Sequence, residues 1–533
     1  MARRAHPRLL LLTPPLVQTN TPYPATMHLV GYLRSQGYDA VQRDLSVRVV
    51  REVLITYGGD EAEEILELLS GPAPDEAKRA ASEWIDELAL SIRREVDSSF
   101  GFSRYAAQLG AWARDFSEVE ALVRARGVLD GPLEHHLKQA LDETKPDVVG
   151  VTCPFPGTLV AAFKIARYLK RHYPKMKCVL GGGFVSTELR EMTDPRPRRY
   201  FDHFFFDEGY EALADYLDAL SPRPRKRRRG AIPAFVCPSY EGISWDDYFD
   251  VVETENPMHR LWSTGRWVKL QMARGCYWHR CAFCDVRLPY IGCYEAPTAT
   301  EIVDAMARFA TAARPLVDFH FVDEAMPPAL VRGVCEELLR RRLRCRWWGN
   351  VRFDLAYTPE LAALMARAGC IAVTGGLECA NDRLLSRMSK GITLASARRV
   401  LKAFHEAGIL VHTYLMYAFP TETEEEAMGA LDYVRRLFAA DLVQSAFWHR
   451  FALTVHSPVA SEAAAFGIRL RRPKPSPKGV FALNEIAYTE KDAPDWTQIG
   501  RVLELALYNY MQGRGLKKMV YYWKNLLEKK KED

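Results

Sequence analysis

The feature that most constrains the fold is an alternation of short apolar segments with longer helical patterns, which occurs in two series. In the first series, helical patterns follow the apolar segments RLLLLTPP (8–15), PDVVGVTCPFPG (146–157) and CVLGGGFV (178–185). Strands that alternate with helices predict a parallel sheet with helices on both faces. We therefore predict a Rossmann-like α/β domain over residues 1–220. Charged helical patterns without strand signals predict a helical insertion at about 46–144.

The second series occupies residues 261–460 and predicts a barrel. Its predicted strands are 267–273, 317–322, 345–351, 371–377, 411–417 and 443–451. Six βα units in sequence predict a partial (βα)6 barrel, and barrel enzymes place their chemistry in the loops that follow the strands. Residues 221–260 are predicted to link the two domains, and residues 461–533 to form a helical C-terminal cap.

Three cysteines stand in the loop MARGCYWHRCAFCDV (272–286), directly after the first predicted barrel strand. Buried apolar side chains would not require such close spacing. A structural zinc site needs four ligands, which Cys293 or His279 could complete. An iron–sulfur cluster is held by cysteine thiolates, and three ligands from one loop would leave one iron of a four-iron cluster open. The candidate metal ligands are Cys276, Cys281 and Cys284.

This loop resembles the cluster loop of the radical S-adenosylmethionine (SAM) superfamily, whose usual spacing is C-x3-C-x-aromatic-C. Phe283 stands at the aromatic position, but the first gap is one residue longer here. The resemblance implies that the open iron binds SAM and that reductive cleavage of SAM releases a 5′-deoxyadenosyl radical. Later strand-end motifs imply that Asp323 and Glu324 meet the SAM amino group and that Glu378 contacts SAM. Salt bridges at the barrel rim are the alternative interpretation of these acids.

The N-terminal half resembles the cobalamin-binding domain of the cobalamin-dependent branch of this superfamily. The resemblance implies a flat corrinoid site on the strand-end loops, and the residues implied in cofactor binding are Thr152, Cys153, Pro154, Gly181, Gly182, Gly183 and Glu208. Related domains supply an axial histidine from a D-x-H-x-x-G motif. In RDLSVRV, Asp44 has no histidine two residues later. We therefore expect cobalt to lack an imidazole from this motif.

Composition excludes some other classes of protein. A net charge of +5 over 533 residues does not by itself indicate nucleic acid binding. The six basic residues between Arg223 and Arg229 are interpreted as part of the linker rather than as a nucleic-acid site. No apolar run approaches the ~20 residues of a membrane span, and Leu9–Leu12 is too short for a secretory signal. A cytoplasmic protein is expected, and eleven cysteines are then free thiols or ligands rather than a disulfide framework.

The expected cofactors are a 4Fe–4S cluster, SAM and cobalamin. The expected partners are a small-molecule or peptide substrate and an external electron donor such as flavodoxin or ferredoxin, without nucleic acid. The resemblance implies a class B C-methyltransferase that acts on an unactivated carbon of a natural product or peptide. Alternatives are a radical rearrangement, ring formation or oxidation with the same cofactors, RNA modification, and a non-enzymatic sensor.

Overall fold

The computed structural model describes residues 6–102, 115–221, 232–252, 256–312, 318–471 and 477–529. The chain divides into two compact units of discontinuous sequence. Unit 1 comprises Met1–Glu255, Trp262–Arg266 and Lys474–Asn484. Unit 2 comprises Asn256–Leu261, Trp267–Pro473 and Glu485–Asp533. The predicted α/β fold class, with a Rossmann-like first unit and a partial barrel in the second, is confirmed.

Unit 1 is built on a parallel sheet with the strand order β2-β1-β3-β4-β5. Its strands are β1 (Leu9–Thr13), β2 (Ala40–Asp44), β3 (Val148–Thr152), β4 (Lys177–Gly181) and β5 (His203–Phe204). Every residue of β1 and β3 is buried, as expected of central parallel strands covered on both faces. The register places Thr152 beside Gly181, so the loops that follow β3 and β4 start at the same level.

Helices cover the sheet of unit 1 and fill the predicted insertion. They are α1 (Ala25–Ser35), α2 (Leu45–Ser70), α3 (Asp75–Glu95), α4 (Phe116–Arg124), α5 (Asp130–Thr144), α6 (Leu159–His172), α7 (Gly183–Thr187) and α8 (Tyr210–Leu220). Helices α2 to α5 fall within the stretch that lacks strand signals in the sequence, and α2 packs against α3 and α5. The Asp44 side chain begins α2 by accepting a hydrogen bond from the Ser46 backbone at 2.8 Å.

Residues 232–252, within the predicted linker, pack against unit 1. The Gln42 amide donates to the carbonyl of Ser239 at 2.6 Å, and the Tyr248 hydroxyl donates to Asp44 at 2.7 Å. Lys78 and Asp250 form a buried ion pair at 2.6 Å. This part of the predicted linker is therefore a structured part of unit 1. The basic run from residue 223 to residue 229 lies outside the described residues.

Unit 2 is built on a six-stranded parallel sheet with the order β13-β12-β11-β10-β9-β6. The strands of the unit are β6 (Trp267–Leu270), β7 (Arg274–Gly275), β8 (Tyr294–Glu295), β9 (Asp318–Phe321), β10 (Trp347–Val351), β11 (Cys370–Glu378), β12 (Leu410–Tyr417), β13 (Ser445–Arg450), β14 (Ile468–Arg471) and β15 (Ala487–Glu490). The remaining strands form two antiparallel pairs, β7 with β8 and β14 with β15. Each of the six predicted barrel strands overlaps one strand of the main sheet.

The helices of the second half are α9 (Pro257–Ser263), α10 (Pro289–Gly292), α11 (Ala299–Ala312), α12 (Pro328–Arg340), α13 (Pro359–Arg367), α14 (Asp382–Arg387), α15 (Leu394–Glu406), α16 (Glu424–Ala439), α17 (Pro458–Ser461), α18 (Trp496–Met511) and α19 (Tyr521–Lys529). The C-terminal helix α18 packs against β13 and α16. Tyr417 forms ring contacts with both Trp448 and Trp496, which places α18 on the helix-covered face of the sheet. In the described part of the chain, no helix combines the length and hydropathy that a bilayer-spanning segment needs.

Candidate functional site

The cysteine loop of unit 2 is attached at its start to a buried carboxylate. Both oxygens of Asp323, which follows β9, accept backbone hydrogen bonds from Met272 and Ala273, at 2.8 and 2.7 Å. Asp323 is fully buried, and this burial outweighs the hydrogen bonds and raises its pKa to about 7. The carboxylate therefore fixes the point at which the chain leaves β6 and enters the loop.

Two of the three candidate ligands are in direct contact. The thiols of Cys281 and Cys284 share a hydrogen bond, which lowers the pKa of Cys281 to about 6 against the opposing effect of burial. Lys390 and the Arg352 guanidinium, 3.9 Å from the Cys281 sulfur, lower this pKa further. Cys276 is partly exposed in the same loop, with His279 Nδ1 2.9 Å from its carbonyl oxygen. Soft thiol donors beside two cations suit an anionic iron–sulfur cluster.

The geometry does not favour the zinc alternative. The Cys293 thiol donates to the Tyr290 carbonyl at 3.4 Å. Within the described residues, no three side chains of this loop bring possible metal-ligating atoms within 4.8 Å of one another. Tetrahedral zinc, with Zn–S bonds of about 2.3 Å, requires ligand atoms closer together than that.

Aromatic side chains hold the loop in place. The Trp278 indole donates to the Ser389 carbonyl at 2.8 Å, and the Arg352 guanidinium lies 4.5 Å from the centre of its ring. Tyr277 donates to Asp354 at 2.6 Å. A Cβ atom on Gly391 would lie 2.1 Å from the Trp278 ring, so only glycine fits there. These contacts tie the loop to the segments that follow β10 and precede α15.

Glu378, at the end of β11, forms a buried ion pair with Lys390 at 2.6 Å. Burial alone would lower the pKa of Lys390, but the charges of Glu378 and Cys281 outweigh it and raise the pKa. Glu378 has a left-handed backbone (φ 59°), which is uncommon for a non-glycine residue and follows a register shift in the strand. A Cβ on Gly376 would lie 1.9 Å from a Glu378 carboxylate oxygen. Gly376 therefore makes room for the ion pair above the strand end.

Asp323 and Glu324 follow β9, and Glu378 ends β11; these strands lie on either side of β10 in one sheet. Glu324 is exposed, yet surrounding protein desolvates its carboxyl group and raises its pKa. Contact of these three acids with SAM stays a prediction. Sequence reasoning missed Arg352 and Lys390, the two cations beside the cysteine loop. Lys390 stands in the segment SKGIT (389–393), and nothing in that segment alone pairs it with Glu378.

In unit 1, the residues implied in cobalamin binding gather at the carboxyl edge of the sheet. The Cys153 amide donates to the Gly181 carbonyl at 2.7 Å, and the Phe184 amide donates to the Cys153 carbonyl at 3.1 Å. Gly182 has φ 116°, and a Cβ there would lie 2.6–2.8 Å from the Cys153 backbone. A Cβ on Gly183 would lie 3.1 Å from the Pro154 carbonyl oxygen. The two loops thus meet through their backbones, which only glycine permits.

The remaining residues of this edge fit the same arrangement. Thr152 ends β3, and Glu208 lies between β5 and α8, partly exposed. The position that would carry an axial histidine holds Ser46, whose hydroxyl accepts a hydrogen bond from the Val17 amide at 2.8 Å. Asp44 is buried, which raises its pKa to about 6, and it bonds Tyr248 and Ser46. Asp44 and Ser46 therefore stabilise the fold of unit 1. Cobalamin binding at the carboxyl edge of the sheet stays a prediction.

Comparison with known proteins identifies part of the chain. Residues 270–434 match the sequence model of the Radical SAM superfamily. The chain is 22% identical to an uncharacterised methyltransferase from Pyrococcus horikoshii, over 58% of this chain and 69% of that protein. It is 24% identical to the anaerobic magnesium-protoporphyrin IX monomethyl ester cyclase of Cereibacter sphaeroides, over 54% of this chain. That match spans only 49% of the cyclase.

Two solved structures resemble the chain over nearly its whole length. The cobalamin-dependent SAM radical enzyme OxsB with aqua-cobalamin bound superposes with a TM-score of 0.57 and 14% identity, over 94% of this chain and 66% of OxsB. The radical SAM methyltransferase TsrM from Kitasatospora setae superposes with a TM-score of 0.55 and 17% identity, over 94% of this chain and 89% of TsrM. The first of these matches covers slightly less than two thirds of its chain, and identities this low establish shared fold.

The family match includes the loop that carries Cys276, Cys281 and Cys284. A radical SAM domain implies a 4Fe–4S cluster together with SAM. The predicted recognition of this superfamily is confirmed by the sequence match and by the fold. Residues 270–434 thus match the Radical SAM superfamily, and the chain shares its fold with the cobalamin-dependent radical SAM enzyme OxsB and the radical SAM methyltransferase TsrM.

Proposed function

We propose that the chain is a cobalamin-dependent radical SAM methyltransferase that methylates an unactivated carbon of a natural-product or peptide substrate. The observation that carries the proposal is the presence, in one chain, of a backbone-lined sheet edge in unit 1 and a cation-flanked cysteine loop in unit 2. The names of the Pyrococcus relative and of TsrM, both methyltransferases, support transfer of a methyl group. At identities of 22% and 17%, these names support methyl transfer by this chain as a proposal.

In unit 2, Cys276, Cys281 and Cys284 would hold the cluster, and Cys293, whose thiol donates to the Tyr290 carbonyl, is proposed not to be a ligand. When bound, the cluster and SAM supply a radical that removes a hydrogen atom, and cobalamin supplies a methyl group. Arg352 and Lys390 offset the negative charge that thiolates bring into a buried site. Glu378 keeps Lys390 charged and oriented, since the two form a buried pair.

In unit 1, the site proposed for cobalamin is formed by backbone rather than by charged side chains. Gly182 and Gly183 bring the loop after β4 against the loop after β3, where Cβ atoms would collide with Cys153 and Pro154. A flat macrocycle requires a surface without projecting side chains, and glycine backbone provides one. Ser46 stands at the motif position of the axial histidine and accepts a hydrogen bond from the Val17 amide, so that position offers cobalt no imidazole.

The proposed reaction also requires two electrons per turnover from outside the chain. We propose a flavodoxin or ferredoxin as the donor, because cleavage of SAM would consume one electron and restoring cobalamin to the state that a second SAM can methylate would consume the other. A small molecule or peptide is the proposed substrate class.

Product stoichiometry tests the proposal. Reduced holoenzyme with methyl-labelled SAM should form S-adenosylhomocysteine in an amount equal to bound cobalamin, even before a substrate is known, and none without cobalamin. With substrate, each turnover should yield one 5′-deoxyadenosine, one S-adenosylhomocysteine and one product labelled on carbon. Formation of 5′-deoxyadenosine alone, with an unlabelled product, would contradict methyl transfer.

A second candidate is ring formation or oxidation with the same cofactors. The observation that favours it is the similarity to a cyclase, which extends over 54% of this chain. This candidate predicts 5′-deoxyadenosine without S-adenosylhomocysteine, so the same experiment separates the two reactions.

A further inference from the structure

Three polar side chains form one row across the first strands of the unit 2 sheet. The strand register pairs Lys269 of β6 with His320 of β9, and His320 with Trp348 of β10. Side chains alternate between the faces of a strand. Trp347, next to Trp348, points to the helical layer, where its indole donates to the carbonyl of Ala368 at 2.9 Å. Lys269, His320 and Trp348 therefore share the opposite face of the sheet, which is the inner face of the barrel.

The two adjacent tryptophans differ in how their N–H groups are satisfied. Trp348 is 4% exposed, and its Nε1 atom has no hydrogen-bond partner among the described residues, whereas the Nε1 of Trp347 is bonded. His320 stacks on Trp348 with ring centres 3.6 Å apart and planes 9° apart, and its Nδ1 atom is likewise without a partner in the described structure. Leaving a buried donor unpaired costs about 1–3 kcal/mol. Such groups indicate a site where a ligand completes the bonding.

The chemistry of the row selects the ligand. Trp348 can only donate, and Lys269 is a buried cation at 5% exposure. Burial, aided by the charge of Lys269, lowers the pKa of His320 well below its usual value, so the ring is neutral and carries one N–H near pH 7. The row thus offers donors and positive charge, and none of its three members is a carboxylate. An oxygen-rich anion matches this arrangement.

An aromatic group lies further along the same face. Tyr414 of β12 and Phe447 of β13 are paired in register, and both are exposed, at 36% and 55%. The ring of His449 lies 4.5 Å from that of Phe447 and 6.0 Å from that of Tyr414. In register, Trp348 is level with Ala372, and Tyr414 is level with Gly376, four residues toward the carboxyl end. The aromatic group is therefore about 13 Å nearer the strand ends than the row.

We propose that Lys269, His320 and Trp348 bind the carboxylate of an elongated substrate whose apolar or aromatic part lies against Tyr414, Phe447 and His449. The carboxylate would lie inside the barrel, nearer the amino-terminal ends of the strands. The apolar part would extend toward their carboxyl-terminal ends, where the cysteine loop leaves β6. This inference deepens the proposed function in one respect, since it takes the inner face of the barrel as the substrate site. It does not depend on whether the reaction is methylation or ring formation.

The test observes Trp348 directly in the full-length, cluster-loaded protein. Indole-¹⁵N labelling gives signals for the eleven tryptophans, and Trp347→Phe and Trp348→Phe variants assign the two signals of interest. The probes are 4-phenylbutyrate and its neutral analogue 4-phenylbutyramide. With the carboxylate, the Trp348 N–H proton should shift downfield by a few tenths of a ppm and saturate, while the Trp347 signal stays in place. The Lys269→Met variant should weaken the apparent affinity at least tenfold, and Lys269→Arg should retain most of it.

Several outcomes would overturn the proposal, and the unsubstituted protein decides them even if a variant folds poorly. One is a Trp348 signal that neither probe moves, and another is an equal shift of this signal with the carboxylate and with the amide. The third is a shift of the Trp348 signal by SAM alone, after which 4-phenylbutyrate has no effect. The last result would assign the row to the coenzyme. Because the titration involves no turnover, a saturating shift of the Trp348 signal would support this inference even if the product stoichiometry rejected methyl transfer.

Discussion

Cysteines follow parallel strands in both units, yet their surroundings shift their pKa values in opposite directions. Cys153, directly after β3 in unit 1, is fully buried, and burial raises the pKa of its thiol to about 12. Cys281, in the loop after β6 in unit 2, has a pKa lowered to about 6 by a hydrogen bond with Cys284 and by Lys390 and Arg352. Unit 1 thus has a backbone-lined edge at Cys153, whereas unit 2 has a pair of contacting thiols in which the pKa of Cys281 is lowered and that of Cys284 is raised. The surroundings of each cysteine, rather than the residue type, therefore decide the direction in which its pKa shifts.

The largest expected effect tests whether ligation is confined to unit 2. Replacing Cys276, Cys281 and Cys284 with alanine should remove the cluster, because thiolates are the ligands. Iron content should fall from about four atoms per chain to near zero, with loss of the brown absorbance. The matched controls Cys153→Ala and Cys293→Ala should keep their iron. Loss of the cluster in Cys293→Ala would show a fourth protein ligand and contradict an open iron.

The next effect tests whether unit 2 depends on its buried ion pair. Glu378→Gln leaves Lys390 charged and unpaired in the interior, which should reduce the free energy of unfolding by about 3–5 kcal/mol. The control is Glu424→Gln, which breaks a more exposed pair with Lys524 and should cost about 1 kcal/mol or less. Urea midpoints measure both. Adding Lys390→Met to Glu378→Gln should restore part of the loss; equal effects of the two single variants would refute the argument.

A smaller effect concerns Glu422, a buried carboxyl group of unit 2. Burial raises the pKa of Glu422 to about 8 from 4.5. Between pH 4.5 and pH 8, Glu422 is therefore protonated in the native state and ionised in the unfolded chain. The free energy of unfolding falls as the pH rises through this range. The Glu422→Gln variant should not show this fall. Its free energy of unfolding, compared with that of the unsubstituted protein, should therefore be higher at pH 8 than at pH 4.5 by on the order of 3 kcal/mol. Melting curves of both proteins across this range check the sign; parallel curves would show that Glu422 does not titrate.

The smallest expected effect addresses the edge of unit 1. Gly182→Ala forces a Cβ against the Cys153 backbone at a φ of 116°, and it should weaken cobalamin binding at least tenfold by distorting the two loops. The control is Gly131→Ala in α5, where a Cβ meets nothing within 4 Å. Equilibrium dialysis with cobalamin measures both. Iron content should stay unchanged in each variant, and unaltered cobalamin affinity in Gly182→Ala would place the corrinoid elsewhere.

Local sequence patterns were sufficient for the elements and for the cysteine loop. Apolar runs such as RLLLLT become buried strands because parallel strands are covered on both faces, and the spacing of three cysteines after a strand identified the radical SAM domain. Bounds differ by a few residues; the strand predicted at 267–273 ends at Leu270, because Asp323 takes the amides of Met272 and Ala273 into the loop. No local pattern contains that long-range bond.

The sequence by itself determined the alternation of strands and helices, the glycine-rich strand ends and the ligand types, because each is written in residues close together along the chain. Only the tertiary structure decided which distant side chains meet. Lys390 reaches Glu378 across a helix, Arg352 reaches Cys281 from another strand end, and the register of β9 and β10 stacks His320 on Trp348. These contacts depend on the order of parallel strands in the sheet, which joins residues far apart in the chain. They bring buried charges and polar ring nitrogens into the interior of unit 2, which no local stretch of sequence specifies.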